Sequence, residues 1–197
     1  EILSIDVLAQ DGFIDFDSSF HWRQNRDLSG FNIMQMGILY EYIMRWVGPA
    51  SSVKAISRVH VKSRSDETGE RRGITVPDFV EILCEMSAGP VMHMRISLVS
   101  GLAPADGIWL FGTEGTLRLD MATNTVYVGR RGDSEMTKVD IDPQKKGEWR
   151  GEEEFISAIR GLESITHTNF EDGVRYMEFT EAVVRSSQSD QTIYLPL

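Results

Sequence analysis

The chain has 197 residues, 41% hydrophobic and 25% charged, the balance of an ordinary globular protein with apolar material for one packed core. Twenty Lys and Arg against thirty Asp and Glu give a formal net charge of -10, which repels nucleic acid and anionic membranes alike. The short basic clusters at Arg71, Arg130 and Lys145 do not outweigh that field. A single cysteine, Cys84, excludes an internal disulfide and a cysteine-rich zinc site, and no run approaches the ~20 apolar residues of a membrane span.

These features suggest a reducing, cytoplasmic location. The start, EILSIDVLAQ, has no initiator Met and no signal-peptide pattern, and it enters a strand at once, so a fragment of a longer protein is expected.

Taken in chain order, the first predicted element is a strand from Leu3 to Ala9. A helix follows over Ile33 to Val47, stopped at GP, a glycine and then a proline that cannot continue it. Val53 to Lys62 reads as a strand, and SRSDETGERRG around Gly69 as flexible surface. FVEILCEM places Val80, Ile82, Cys84 and Met86 on one side, and VMHMRISLV alternates Met92, Met94, Ile96 and Leu98 with His93, Arg95 and Ser97. The SAGP between them predicts a hairpin.

Further strands are expected at Ile108 to Phe111, Thr116 to Met121, Thr125 to Val128 and Met136 to Ile141, with GTEG and MATN as tight turns. DPQKKGEWRG reads as a second flexible segment. Glu152 to Ile159 predicts a helix with carboxylates in its first turn and Phe155, Ile156 and Ile159 on its buried side. Asn169 can cap a third helix that commits Val174, Met177, Val183 and Val184 to the core, and Thr192 to Leu195 reads as the last strand. Strands joined by short turns, with helices grouped toward the two ends of the chain, predict an α+β fold. Its mostly antiparallel open sheet would carry helices packed on one face and leave the other face for oligomerisation. No GxGxxG phosphate loop occurs, so the chain does not hold a dinucleotide in the Rossmann manner by itself.

At WRQNRDLSGFNIMQMGILYEYIMRWVG, and again at EFISAIRG and THTNFEDGVRYMEFTEAVVRSSQSDQTIYLPL, the sequence resembles the C-terminal domain of the Gfo/Idh/MocA oxidoreductases, the family of glucose-fructose oxidoreductase and inositol dehydrogenase. The resemblance covers essentially all of the chain, and the tail carries it more specifically than the middle. It implies a parent of two domains. Residues 1–197 would be a single substrate-binding and oligomerisation domain, and an N-terminal Rossmann domain, absent from this chain, would bind NAD or NADP and contribute a lysine. The implied substrate is a sugar, cyclitol or related hydroxylated compound. The family's helix usually carries Asp, Gly and His, with a second Asp one turn on; the matching positions here are Gln35, Gly37, Leu39 and Tyr42.

Gln35 and Leu39 are four apart and share a helical face that Asn32 and Tyr42 extend. Neither Gln nor Leu can exchange a proton with a carbinol near neutral pH. That leaves the missing domain's lysine, Tyr40, Tyr42, His21 or Glu41 as acid–base candidates, against a plainer reading in which the tyrosines pack and Glu41 pairs with Arg45. Trp22, Arg23, Gln24 and Asn25 combine an aromatic face with several donors, suited to a polyhydroxylated or anionic small molecule. In the alternative reading Trp22 fills the core and Arg23 ties a loop down.

His60, His93 and His167 show no spaced carboxylate or cysteine partner, so no metal site is expected. Arg58, His60, His93 and Arg95 are assigned to the sheet's second face, where a homodimer or tetramer is expected to form. Two functions follow: an NAD(P)-dependent oxidoreductase whose fragment alone is inactive, or a non-catalytic binding or assembly module that kept the fold.

Overall fold

The computed structural model describes residues 1–31, 33, 35–147, 149–166 and 169–197; Asn32 and His167 lie outside the described residues. Alternating apolar residues build the sheet strand by strand. In β1 (Ile2–Gln10), Ile5 and Val7 are fully buried while Ser4, Asp6 and Leu8 face the other way. β2 (Ala50–Arg58) buries Val53 and Ala55, β5 (Phe79–Met86) buries Val80, Ile82 and Cys84, and β6 (Val91–Ser97) buries Met92, Met94 and Ile96.

Beyond these run β7 (Gly107–Gly112), β8 (Gly115–Asp120), β9 (Thr125–Arg130) and β10 (Thr137–Lys138), with β11 (Ile193–Tyr194) at the other edge. The nine-stranded order is β10-β9-β8-β7-β1-β6-β5-β2-β11. β1 pairs with β6 in parallel, whereas the other neighbours in the sheet pair antiparallel.

Helices cover one face. α2 (Gln35–Val47) contributes Met36, Tyr40 and Ile43, and α4 (Phe170–Ser189) contributes Phe179, Ala182 and Val183, to the same core as the buried strand residues. α4 is capped by Asn169, whose side chain accepts the Asp172 amide at 2.7 Å, as expected. The predicted α+β class and the helices on one face match this architecture. α1 (Arg26–Ser29) is a single turn between β1 and α2, and α3 (Gly151–Ile159) precedes α4.

Four local expectations are corrected. SRSDETGERRG is not loose: it forms a hairpin of β3 (Ser63–Ser65) and β4 (Arg71–Gly73), closed by Asp66. Asp66 Oδ1 accepts from the Thr68 and Glu70 amides, and Oδ2 from Arg72 Nε at 2.9 Å. The strand expected from Met136 to Ile141 shrinks to the two residues of β10. In α3 the expected inner residues Phe155, Ile156 and Ile159 are 54%, 47% and 71% exposed, and Glu154 is buried instead. The buried carboxylate is hydrogen-bonded, Glu154 Oε1 accepting from Thr166 Oγ1 at 2.7 Å, which makes its burial tolerable. In α4, Val183 and Val184 join the core, but Val174 and Met177, nearer the start of the helix, are each 59% exposed.

Candidate functional site

The chain leaves β1 at Gln10 and runs through an irregular loop to a three-residue 3-10 turn, Trp22–Gln24. His21 caps that turn: its Nδ1 accepts the Arg23 amide at 3.2 Å, and Gln24 Oε1 returns the favour to the His21 amide at 3.0 Å. Asn25 then caps α1 through the Asp27 amide at 3.0 Å, and Gly30, at φ 67, ends it. This succession of caps fixes the direction in which Arg23 and Gln24 leave the backbone. The Arg23 guanidinium lies 4.6 Å from the Trp22 ring centre, a cation–π contact that stiffens an otherwise free side chain.

Arg23, Gln24 and Gln35, the first residue of α2, line one cavity of about 780 Å3. Its apolar walls include Ile33, Ile38, Val61 and Val76. Asp11 and Asp78 also line it, tied by backbone to the end of β6: the Asp11 amide donates to Ser97 O, and the Leu98 amide donates to Asp78 O, both at 2.8 Å. The size and the mixture of an apolar wall with a few directed polar groups are those of a small-molecule site. Asp78 is held firmly by the His60 and Val61 amides at 2.9 Å and by His60 Nδ1 at 2.8 Å.

Arg64, from β3, lines the same cavity and is a residue that sequence reasoning missed. It is only 7% exposed. Nη1 donates to Ser18 O at 2.9 Å and also bonds Ser18 Oγ, and Nη2 donates to Asp15 O at 2.5 Å, so this guanidinium pins the loop that forms the cavity lip. Asp15 Oδ2 is 3.9 Å from Nη1. The Asp17 and Ser18 amides, which donate to Asp15, hold its carboxyl below the usual range. The Arg64 Nε is buried without a partner among the described residues. The missed signal was a cation flanked by serines in VKSRS, which looked like loop because no apolar periodicity marked it.

The other predicted site residues divide. Gln35 is exposed to the cavity, but Leu39 is 3% exposed and belongs to the core, so the face expected to unite them is split, and Ile38 takes the place beside Gln35. Tyr40 is not available to a substrate. It is 1% exposed, stacks on Phe179 at 3.7 Å between ring centres, and its hydroxyl accepts the Ala50 amide at 2.9 Å. Burial pushes that hydroxyl up to about 12.

Tyr42 is 41% exposed and lines a second cavity of about 630 Å3 with Ile38, Glu41, Trp149 and Phe155; Glu41 is paired with Arg45 at 2.7 Å. Trp22 neither fills the core nor lines the first cavity; it is 45% exposed and backs Arg23. His21 serves as a cap outside both cavities. Asn32 lies outside the described residues. Two histidines do have carboxylate partners, contrary to expectation: His60 with Asp78, and His93 with Glu81 at 2.6 Å. The hairpin register explains the second pair, since Glu81 stands opposite Arg95 and diagonal to His93. Among the described residues no group of three His, Cys, Asp or Glu could hold a metal ion, and no helix is long and apolar enough to cross a membrane.

Chemically, the guanidinium, amide and carboxylate groups that line the first cavity are donors and acceptors suited to a hydroxylated molecule. It holds no glycine-rich phosphate loop, and its residues do not fit a dinucleotide by themselves.

Solved structures of the same fold accompany this geometry. Levoglucosan dehydrogenase in complex with NADH and L-sorbose superposes with a TM-score of 0.84 at 19% identity, covering 99% of this chain and 59% of that one. An NAD binding oxidoreductase from Klebsiella pneumoniae gives 0.82 at 18%, covering 100% and 60%. A super-repressor mutant of Gal80p from Saccharomyces cerevisiae gives 0.73 at 13%, covering 98% and 58%. The chain thus spans about three fifths of the length of these structures. No curated protein matches it. A family model described as the GFO/IDH/MocA C-terminal domain matches residues 3–118, which include the 3-10 turn, α2 and the strands through most of β8, while the tail motif lies beyond the matched span. The chain belongs to the GFO/IDH/MocA C-terminal domain family.

Proposed function

We propose that this chain is the substrate-binding and oligomerisation domain of an NAD(P)-dependent oxidoreductase acting on a sugar, cyclitol or related hydroxylated compound in the cytoplasm. NAD or NADP is held mainly by a Rossmann domain outside residues 1–197, which also supplies the proton-transferring lysine. The observation that carries this reading is the cavity that Arg23, Gln24, Gln35, Asp11 and Asp78 line together with apolar side chains. The sugar-related ligands named for the levoglucosan dehydrogenase structure support the substrate class. In this reading the uncovered sheet face joins a second copy, giving a homodimer or tetramer.

The test is cofactor absorbance on the full-length protein with NAD(H) and NADP(H) against sugars, cyclitols and their oxidised forms. Turnover that falls at least tenfold in Gln35→Ala and Arg23→Ala, yet persists in Tyr40→Phe, is the expected result.

A second reading, a non-catalytic binding or assembly module, is favoured by one feature: Gln35 and the buried Leu39 stand where the family usually has proton-transferring groups. The likeness to Gal80p is compatible with it. If calorimetry finds no cofactor binding to the full-length protein and no substrate in the panel turns over, this second reading replaces the first.

A further inference from the structure

We propose that the substrate is a glycoside with an apolar or aromatic aglycone, its sugar held in the first cavity and its aglycone in the second. The inference rests on the reading of the first cavity as the sugar site and extends that site along α2. Gln35 lines the first cavity, Tyr42 and Arg45 line the second, and Ile38 lines both, so the two cavities adjoin at one side chain. These four residues are exposed and recur every three or four positions, which sets them in one stripe along the helix. From Gln35 to Tyr42 the helix rises about 10 Å. A molecule of two linked rings spans that distance.

The second cavity differs from the first in chemistry. Ile38, Tyr42, Trp149, Phe155 and Ile165 line it, all of them exposed, and Phe155 is one of the residues that the sequence assigns to the core. Two of its rings are held in place. Tyr42 stacks on Trp46 with 6.2 Å between ring centres. Trp149 Nε1 donates to Glu152 Oε2 at 2.6 Å, and its ring lies against Gly151, where an added Cβ would come within 2.9 Å of it. Rings fixed in this way receive a flat apolar group at little ordering cost. The charged side chains that line the cavity are bonded to neighbours: Glu41 to Arg45 at 2.7 Å, Arg150 to Glu163 at 3.1 Å, and Glu154 to Thr166 at 2.7 Å. A second sugar ring would compete with these bonds for its hydroxyls. An aglycone buries apolar surface on the rings and breaks none of them.

The experiment is calorimetric titration of the full-length protein with the phenyl and methyl glycosides of D-glucose, D-galactose and D-mannose, the free sugars and myo-inositol. It is run on the native protein, Gln35→Ala, Tyr42→Ala, Trp149→Ala, Trp149→Phe and, as a control on an exposed aromatic residue of β11 that lines neither cavity, Tyr194→Ala. The expected result is a phenyl glycoside bound about tenfold or more tightly than the methyl glycoside of the same sugar. Tyr42→Ala and Trp149→Ala should each remove most of that margin and leave the methyl glycoside within about twofold, while Trp149→Phe keeps the margin. Gln35→Ala should weaken both glycosides, and Tyr194→Ala neither. Tyr42 and Trp149 are exposed, so their truncation opens no cavity in the core. Phenyl and methyl glycosides bound alike, or free sugars or myo-inositol bound with no glycoside, overturn the aglycone subsite and leave the first cavity standing. A phenyl margin that survives both ring truncations overturns it too. No binding of any of these compounds overturns both readings.

Discussion

Tyr40 shows how much a single side chain can be misjudged from its neighbours in sequence. Its position among Gln35, Leu39 and Tyr42 invited a catalytic role, but its ring lies flat on Phe179 and its hydroxyl serves the Ala50 amide. Tyr40→Phe leaves that buried N–H unpaired and is expected to cost about 1–2 kcal/mol, read by urea unfolding at neutral pH. The same group makes alkaline stability distinctive. The folded hydroxyl loses its proton only at about 12, whereas an unfolded tyrosine does so at about 10. Its contribution is therefore complete below about pH 10 and disappears between about pH 10 and 12, as the unfolded chain ionises first. The buried Cys84 thiol is also pushed up, so the slope due to Tyr40 is the difference between the native protein and Tyr40→Phe. An identical slope in both would show that the hydroxyl is not shielded. The same i, i+4 rule that placed Gln35 correctly failed for Leu39, because four residues of helix turn 40° past a full revolution and a shallow pocket sees only part of that arc.

Elements are legible where burial imposes a period and illegible where polar bonds decide. The β5–β6 hairpin is plain in the alternation of Val80, Ile82 and Cys84 against Met92, Met94 and Ile96, because one face of each strand meets the core. The β3–β4 hairpin has no such alternation; its turn is organised by Asp66, and a carboxylate that folds back on amides leaves little trace in hydropathy. α3 failed in the opposite sense, since its apolar residues suggested an inward side that Glu154 occupies.

The edge of the sheet carries a similar polar device. β11 pairs with β2 only at Val53 and Ser52, and the next inward amide, Ala55, is taken by Ser186 Oγ at 2.9 Å, which itself donates to Gln191 O at 2.6 Å. Ser186→Ala is expected to cost about 1–3 kcal/mol in chemical denaturation, more than an exposed serine such as Ser189 would. Equal losses at the two sites would show that the Ala55 amide finds another partner.

At the scale of the whole molecule, the uncovered sheet face combines a charged cluster with apolar side chains. Glu81 bonds both His93 and Arg95, and Ile56, Leu83 and Val91 beside them are 49%, 53% and 49% exposed. Leu83 stands between Lys54 and His93 in the ladder, near the middle of that half of the sheet. If this face joins two copies, Leu83→Asp in the full-length protein shifts sedimentation toward the monomer at least tenfold in concentration without altering its circular dichroism. Unchanged sedimentation would place the interface elsewhere.

The overall class was readable from the strand spacing, but the strand order was not, and its least expected member is β1. Ile5 and Val7 are seated between β6 and β7, joined to partners roughly a hundred residues later in the chain. During synthesis this first strand emerges long before either neighbour exists. Its apolar row must wait, exposed to solvent and to other nascent chains, until the β5–β6 hairpin and the β7–β9 meander have left the ribosome to close around it.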